Sequence, residues 1–185
     1  MTVKEMICRT MRLTGRVAAA DSLESTAPSD EAVRLKRALL TYLNAVLDEL
    51  ARGYFPLDTE EEMSSEDGVY AFSDFLKEPV KINRVTDGKN PVKWHISPDY
   101  LHTDAKNITV YYEYLPPVLS DTDEFFYPVF AVGPRLVEYG MAAEYFLVAG
   151  DGEAYAAWES KYRAEIETLL SRSSVKERIP PRRWI

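Results

Sequence analysis

Apolar residues recur every three or four positions in several segments of the chain, and this spacing predicts amphipathic helices. The first predicted helix is short, and its apolar face carries Val3, Met6, Thr10, Leu13 and Val17. Cys8 lies within this repeat and is expected to be a buried, inert thiol. The segment "AAADSLESTAPSDE" that follows is rich in small and polar residues and is predicted to be a linker.

The second predicted helix is longer and has clear signals at both ends. Ser29 is suited to the N-cap, and Asp30 and Glu31 follow in the first turn, where the helix dipole favours negative charge. Gly53 and Pro56 mark its end. Its apolar face comprises Ala32, Leu35, Leu39, Leu43, Val46, Leu47 and Leu50.

The pattern changes in the middle of the chain. The segment "LDTEEEMSSEDG" holds six carboxylates between Asp58 and Asp67, and its composition predicts an exposed loop. From Gly68 to Leu115, short runs rich in valine, isoleucine and aromatic residues predict a small antiparallel sheet: "GVYAFSDF", "PVKINRVTDG", "PVKWHIS" and "NITVYYEYLP". In the last run, Ile108, Val110, Tyr112 and Tyr114 alternate with polar or exposed positions, as in a strand with one buried face.

Helical spacing returns after Pro128 and predicts an αα-hairpin. The first helix carries the stripe Val132, Leu136, Tyr139, Gly140, Ala143, Phe146 and Leu147, and the second carries Tyr155, Trp158, Tyr162, Ile166, Leu169 and Leu170. In the connecting "AGDG", Gly150 suits a C-cap and Asp151 an N-cap. The aromatic residues of the hairpin are expected to belong to the core.

These elements predict an α+β fold that is mainly α: a helical bundle of about four helices with an inserted small antiparallel β-sheet. A single domain is expected over residues 1–172, helical over 1–56 and 128–172, with the β insertion over about 68–115. Residues 173–185 form a separate C-terminal tail.

Charge is distributed unevenly along the chain. The net charge is −8, while residues 1–16 and 173–185 each carry +3, which leaves about −14 for the rest. So acidic a body is not expected to hold nucleic-acid phosphates over its main surface. One cysteine and an N terminus with regularly spaced charges favour a protein made in a reducing compartment without a signal peptide or membrane span.

The sequence offers few signals of catalysis. His95 and His102, with Asp99 and Asp104 nearby, do not have the spacing of metal ligands and are interpreted as a strand end and turn. "AGDG" lacks the lysine of a phosphate-binding loop, and the carboxylate run lacks the spacing of a calcium loop. We therefore expect no enzymatic activity, no cofactor and no metal, and look to interaction surfaces instead.

The C-terminal half resembles the head-tail connector (head completion) proteins of tailed bacteriophages, of the adaptor or tail tubular protein A type. The shared pattern is a strand ending in Tyr-x-x-x-Pro, here "YEYLP", then acidic and aromatic residues, a helix with "AAEYFLVAGD" and a second with "AAWESKYRAEI". The N-terminal "LDELARGYFP" also fits. The resemblance covers about residues 29–172, is one of pattern, and implies an α-helical bundle with a β insertion.

The resemblance implies a structural virion protein at the head–tail joint, assembled from the host cytoplasm. Its partners would be the portal protein, neighbouring copies of itself in a dodecameric ring, and a downstream tail or stopper (nozzle) protein. DNA would pass through the channel without specific binding, and no membrane would be involved. Candidate subunit-interface residues are Tyr139, Gly140, Ala143, Tyr155 and Trp158.

Family members typically dock to the portal through terminal segments that order on assembly. The matching segment here is the tail over 173–185, with candidate portal-binding residues Arg178, Pro180, Pro181, Arg182, Arg183, Trp184 and Ile185. The alternative interpretation is a small helical regulatory or ligand-binding domain whose aromatic cluster binds a ligand and whose basic tail contacts nucleic acid.

Overall fold

The computed structural model describes residues 1–129 and 132–174, apart from the side chains of residues 172–174. The helices of this part of the chain are α1 (Val3–Leu13), α2 (Val17–Glu24), α3 (Asp30–Gly53), α4 (Pro134–Ala149) and α5 (Gly152–Ser174). The strands are β1 (Leu57–Ser64), β2 (Val69–Ala71), β3 (Pro79–Thr86), β4 (Trp94–Ser97), β5 (Tyr100–Thr103) and β6 (Asn107–Tyr114). A 3₁₀ turn spans Phe72–Asp74.

The predicted fold class is wrong. The described residues form five helices and two three-stranded antiparallel sheets, which makes a mixed fold and not a bundle of about four helices with one small sheet. The chain separates into two compact units, one of Leu50–Pro117 and one of Met1–Glu49 with the chain from Val118 onward. Strand content was underestimated because β1 and β5 do not show an uninterrupted alternation of apolar and polar residues.

The helical unit begins with a capping box. The hydroxyl of Thr2 accepts the backbone N–H of Glu5, and the Glu5 carboxylate accepts the N–H of Thr2 at 2.8 Å. Helix α1 buries Met6, Ile7 and Cys8, so the predicted burial of the thiol is confirmed. The helix ends at Leu13, which is exposed together with Val17, because α2 begins where the predicted first helix was expected to continue.

Helix α2 lies in the predicted linker. It buries Ala19, Ala20 and Leu23, and Arg12 of α1 pairs with Asp21 and Glu24 at 2.9 and 2.8 Å. Alanine is a strong helix former, but it does not produce a clear apolar stripe. The small residues of this segment were therefore interpreted as a linker, although they form a helix.

Helices α3, α4 and α5 meet at Gly140. The predicted start and end of α3 are confirmed, and Ser29 caps it by accepting the N–H of Ala32 at 3.3 Å. A Cβ at Gly140 of α4 would lie 2.8 Å from a methyl group of Val46 on α3 and 3.1 Å from the ring of Tyr162 on α5. The absence of a side chain here lets three helices approach one another closely.

The first sheet of the other unit has the strand order β1-β6-β3. Strand β6 is central, and the predicted burial of Ile108, Val110, Tyr112 and Tyr114 is confirmed. Ile82 and Val85 of β3 lie on the same buried face. The face is covered in part by Phe75, whose ring packs edge-on against Tyr112 at 5.1 Å.

The acidic segment predicted as a loop is strand β1, paired with β6 over its whole length from Leu57↔Tyr114 to Ser64↔Asn107. Asp58, Glu60 and Glu62 are exposed, whereas Glu61 faces inward, where it accepts the Tyr112 hydroxyl at 2.8 Å. Burial and this hydrogen bond raise the pKa of Tyr112 to about 12. Because the inward-facing Glu61 is charged, the alternation of apolar and polar residues that identifies a strand is interrupted in β1.

The second sheet has the order β2-β5-β4. Leu101 of β5 is fully buried, and Tyr70 of β2 donates its hydroxyl to the carbonyl of Ala105 at 2.9 Å. Gly68, at φ 74°, precedes β2, and a Cβ there would lie 2.1 Å from the carbonyl oxygen of Thr103. The turn into this sheet therefore requires glycine.

Candidate interaction surfaces

The α4–α5 hairpin is built by its capping residues. Pro134 occupies the first turn of α4, and Gly150 ends the helix at φ 74°, a left-handed conformation that favours glycine. Asp151 then accepts the backbone N–H of Ala154 at 3.0 Å and starts α5. The prediction that "AGDG" is a helix–helix turn is confirmed.

An aromatic pair lies on one face of this hairpin. The rings of Tyr139 on α4 and Trp158 on α5 have centroids 5.6 Å apart, and both side chains are half-buried. Arg135 stacks over Tyr139 at 5.2 Å and donates from Nε to its hydroxyl at 2.6 Å. The Lys161 ammonium lies 4.0 Å from the centre of the Trp158 indole. We name these four residues the hairpin face.

The predicted subunit-interface residues divide between this face and the interior. Tyr139 and Trp158 lie together on the hairpin face, and Tyr155 is half-buried. Gly140 and Ala143 are buried within their own helical unit. The small size of Gly140 lets Val46 of α3 and Tyr162 of α5 approach α4 closely.

The prediction that the hairpin aromatics form core applies only to Tyr162, which is 1% exposed. The other five are half-buried: Tyr139, Tyr145, Phe146, Tyr155 and Trp158. Tyr145 packs against Phe146 at 5.1 Å and accepts a hydrogen bond from Arg16 at 2.7 Å, separately from the Tyr139–Trp158 pair. The aromatic residues thus form two separate ring pairs, Tyr139 with Trp158 and Tyr145 with Phe146.

The cations of the hairpin face were not found by sequence reasoning. Arg135 precedes Tyr139 by four positions, and Lys161 follows Trp158 by three, which are the separations that bring side chains together on a helix. That spacing is a usable signal on each helix separately, since both members of each pair lie on the same helix.

A second surface is formed by the outer side of strand β1. Asp58, Glu60 and Glu62 alternate along it and are all exposed. Asp58 accepts a hydrogen bond from the amide of Asn83 at 3.3 Å. We name these three carboxylates the acidic row. The prediction of an exposed carboxylate run is confirmed except at Glu61, which faces inward, while its loop conformation is wrong over Leu57–Ser64.

The two histidines are cross-strand neighbours. His95 of β4 pairs with His102 of β5, and their rings stack at 4.8 Å with planes 8° apart. Ser97 Oγ lies 2.8 Å from Nε2 of His102. The interpretation as a strand end and turn is only partly right: β4 ends at Ser97 and a turn follows, but His102 lies in strand β5, which was not predicted.

Within residues 1–129 and 132–174, no group of three or more His, Cys, Asp or Glu side chains is arranged to hold a metal ion. Burial raises the pKa of the Cys8 thiol, which disfavours the reactive thiolate. In the described part of the chain, none of the helices combines the length and apolar character needed to span a membrane.

In the helical unit Glu138 is buried, and Glu49, Glu144 and Glu159 are half-buried. Glu138 of α4 is 3% exposed at its side chain, and its pKa is raised by burial, an effect opposed by Arg9 and Arg135. Burial also raises the pKa of Glu144, and Glu49 and Glu159 add to the effect. Arg163 bridges Glu49 and Glu159 at 3.2 and 2.6 Å. These groups sit where helices pack together.

The candidate portal-binding residues Arg178, Pro180, Pro181, Arg182, Arg183, Trp184 and Ile185 lie outside the described residues. Comparison with protein-family models and with curated protein sequences gives no match to this chain.

Proposed function

We propose that this chain is a structural head-tail connector of a tailed phage or prophage, which assembles as a ring beneath the portal, extends the DNA channel and provides the platform for tail attachment. The observation that carries the proposal is the ordered pattern "YEYLP", "AAEYFLVAGD" and "AAWESKYRAEI". In the structure these segments belong to the central strand β6 and to the two helices of the α4–α5 hairpin, in the order that the resemblance implies.

The two surfaces support an assembly role. Tyrosine, tryptophan and arginine are enriched among residues that dominate protein–protein binding, and the hairpin face presents all three with an added lysine. The acidic row is different in chemistry and lies on another element. A ring needs two such unlike surfaces, because each subunit contacts its neighbours through different patches.

The charge distribution supports a channel role. A body with a net charge near −14 between its basic ends repels phosphates, so DNA can slide past without being held. The basic tail is then assigned to a protein partner. Its terminal Trp184 and Ile185 would anchor in the portal, with Arg178, Arg182 and Arg183 pairing with portal carboxylates and Pro180-Pro181 limiting the entropy lost on docking.

The test is removal of the tail. A variant ending at residue 172 should keep the helical signal of the full chain in circular dichroism and lose binding to rings of the portal protein from the same phage, measured by co-sedimentation. A full-length variant with the order of residues 173–185 scrambled retains the charge of the tail and should also fail to bind. Unimpaired binding by the truncated chain would exclude the docking role of the tail.

A further inference from the structure

Arg135 and Lys161 of the hairpin face are exposed, whereas Tyr139 and Trp158 are half-buried. Neither cation makes an ion pair within 4 Å in the described part of the chain, and Arg135 donates instead to the hydroxyl of Tyr139. Glu138 and Glu165 are near enough to Arg135 to act on it through space. An aromatic pair between two cations is suited to a partner that offers carboxylates.

The acidic row supplies that chemistry on the same chain. Asp58, Glu60 and Glu62 are exposed, and within residues 1–129 and 132–174 no lysine or arginine pairs with them. The row lies on β1, an edge strand of its sheet. Beside it is a shallow depression lined by Asp58, Thr59, Glu60, Tyr111 and Tyr112.

Both surfaces are short. On the hairpin face, the steps from Arg135 to Tyr139, from Tyr139 to Trp158 and from Trp158 to Lys161 measure 5.2, 5.6 and 4.0 Å. The separation of the two cations therefore cannot greatly exceed the total of these steps. The four residue steps of strand from Asp58 to Glu62 extend ~13 Å at ~3.3 Å per residue. The acidic row is thus of a length that does not prevent two of its carboxylates from approaching the two cations.

We propose that the hairpin face of one copy binds the acidic row of a second copy of this chain. The inference rests on the proposed role as a ring-forming protein, and it names the residues of the subunit contact. Two acidic rows repel each other, and so do two hairpin faces, so charge selects the contact between unlike surfaces. In the ring of the proposed function each copy makes this contact with one neighbour through its hairpin face and with the other through its acidic row, so the contact is heterologous.

The test exchanges the charges of the two surfaces in the full-length chain. Sedimentation velocity at low ionic strength should show that the wild-type protein self-associates as its concentration rises and dissociates when salt is added. The double variants Arg135→Glu/Lys161→Glu and Glu60→Lys/Glu62→Lys should each self-associate at least about tenfold more weakly than the wild type. Their equimolar mixture should regain association, because each hairpin face then meets a row of opposite charge.

Matched controls reverse exposed charges elsewhere. Arg34→Glu/Arg37→Glu on α3 and Glu66→Lys/Glu78→Lys in the sheet unit should associate as the wild type does. The inference is overturned if the wild type stays monomeric under all conditions, if either double variant associates normally, or if the mixture does not recover.

The outcome is separable from the tail experiment. Loss of portal binding by the hairpin-face variant, with self-association unchanged, would assign the face to the portal and overturn the contact between copies. Conversely, self-association through these surfaces together with portal binding by the truncated chain would retain the contact and exclude the portal-binding tail.

Discussion

Glu138 is a carboxylate that the fold holds out of water between α1 and α4. Arg9 Nε lies 3.0 Å from its Oε1, yet this oxygen makes no hydrogen bond of acceptable geometry in the described structure. The short distance therefore reflects a poorly directed ion pair. Since Arg9 is 55% exposed at its side chain, it returns readily to water if its partner is neutral.

Replacing Glu138 with Gln should stabilise the protein at pH 8 by about 1 kcal/mol, because the cost of burying the charge disappears. Burial raises the pKa of Glu138 in the folded state, so folding favours its protonated form. The wild-type free energy of unfolding should thus fall as pH rises from the ordinary glutamate range through this raised pKa, and the Gln variant should lack that contribution.

Urea unfolding at pH 5 and pH 8 measures the effect. The advantage of Glu138→Gln over the wild type should be larger at pH 8 than at pH 5. Glu167→Gln, at an exposed position within α5 and away from its first turn, is the control and should follow the wild type at both values. Equal pH dependence in the wild type and Glu138→Gln would contradict the account of a buried charge.

At the scale of single elements, strand β1 gives neighbouring carboxylates opposite surroundings. Glu61 accepts hydrogen bonds from the Tyr112 hydroxyl at 2.8 Å and from the N–H of Leu76 at 3.1 Å. Tyr112 is 1% exposed. Glu60, one position earlier, points outward and is exposed.

Glu61→Ala should therefore destabilise the protein by about 1–3 kcal/mol, because it leaves the Tyr112 hydroxyl buried without its acceptor. Glu60→Ala should change stability by no more than about 0.5 kcal/mol. Chemical unfolding of both variants decides the matter. If both variants changed the free energy of unfolding equally and only slightly, the segment would behave as a solvated loop, and its assignment as a strand would be contradicted.

The elements that could be predicted carry their own local signals. Ser29 and Gly53 bound α3, Gly150 and Asp151 form the turn of the hairpin, and alternation identifies β6. Strand β1 escaped prediction because Glu61 is held inward by Tyr112, a partner about fifty positions away in sequence. Long-range contacts of this kind leave no local pattern.

The interaction surfaces were predicted only in part, again because contacts between residues distant in sequence leave no local pattern. Tyr139 and Trp158 were named from the sequence, but their pairing with each other depends on how α4 meets α5. The cation over each ring comes from the same helix as the ring. Gly140 and Ala143 were assigned to a subunit interface because small residues permit close approach; in the structure both are buried, and Gly140 admits Val46 of α3 and Tyr162 of α5.

At the scale of the whole molecule, the charge distribution distinguishes the proposed connector from the alternative of a regulatory domain with a nucleic-acid-binding tail. The chain should not retain linear duplex DNA in a gel at about 150 mM salt, because the net charge is −8 and too few basic residues are clustered for many phosphate contacts. Gel retardation with the full chain and with a chain ending at residue 172 checks this.

DNA retention by the full chain that is lost on removal of the tail and falls steeply with salt would contradict the proposal of a connector through which DNA slides without being bound. It would favour the alternative of a small regulatory domain with a nucleic-acid-binding tail. Absence of retention in both forms is the expected result, and it leaves the tail available for a protein partner.

The ammonium of Lys161 lies directly over the indole of Trp158, and this contact has a spectroscopic consequence. A positive charge held 4.0 Å from the ring centre perturbs the electronic transitions of the indole. A carboxylate that draws Lys161 away, as docking of an acidic partner would, changes that local field. In a chain whose Trp94 and Trp184 are replaced by phenylalanine, the fluorescence emission of Trp158 becomes an intrinsic, label-free gauge of occupancy at this surface.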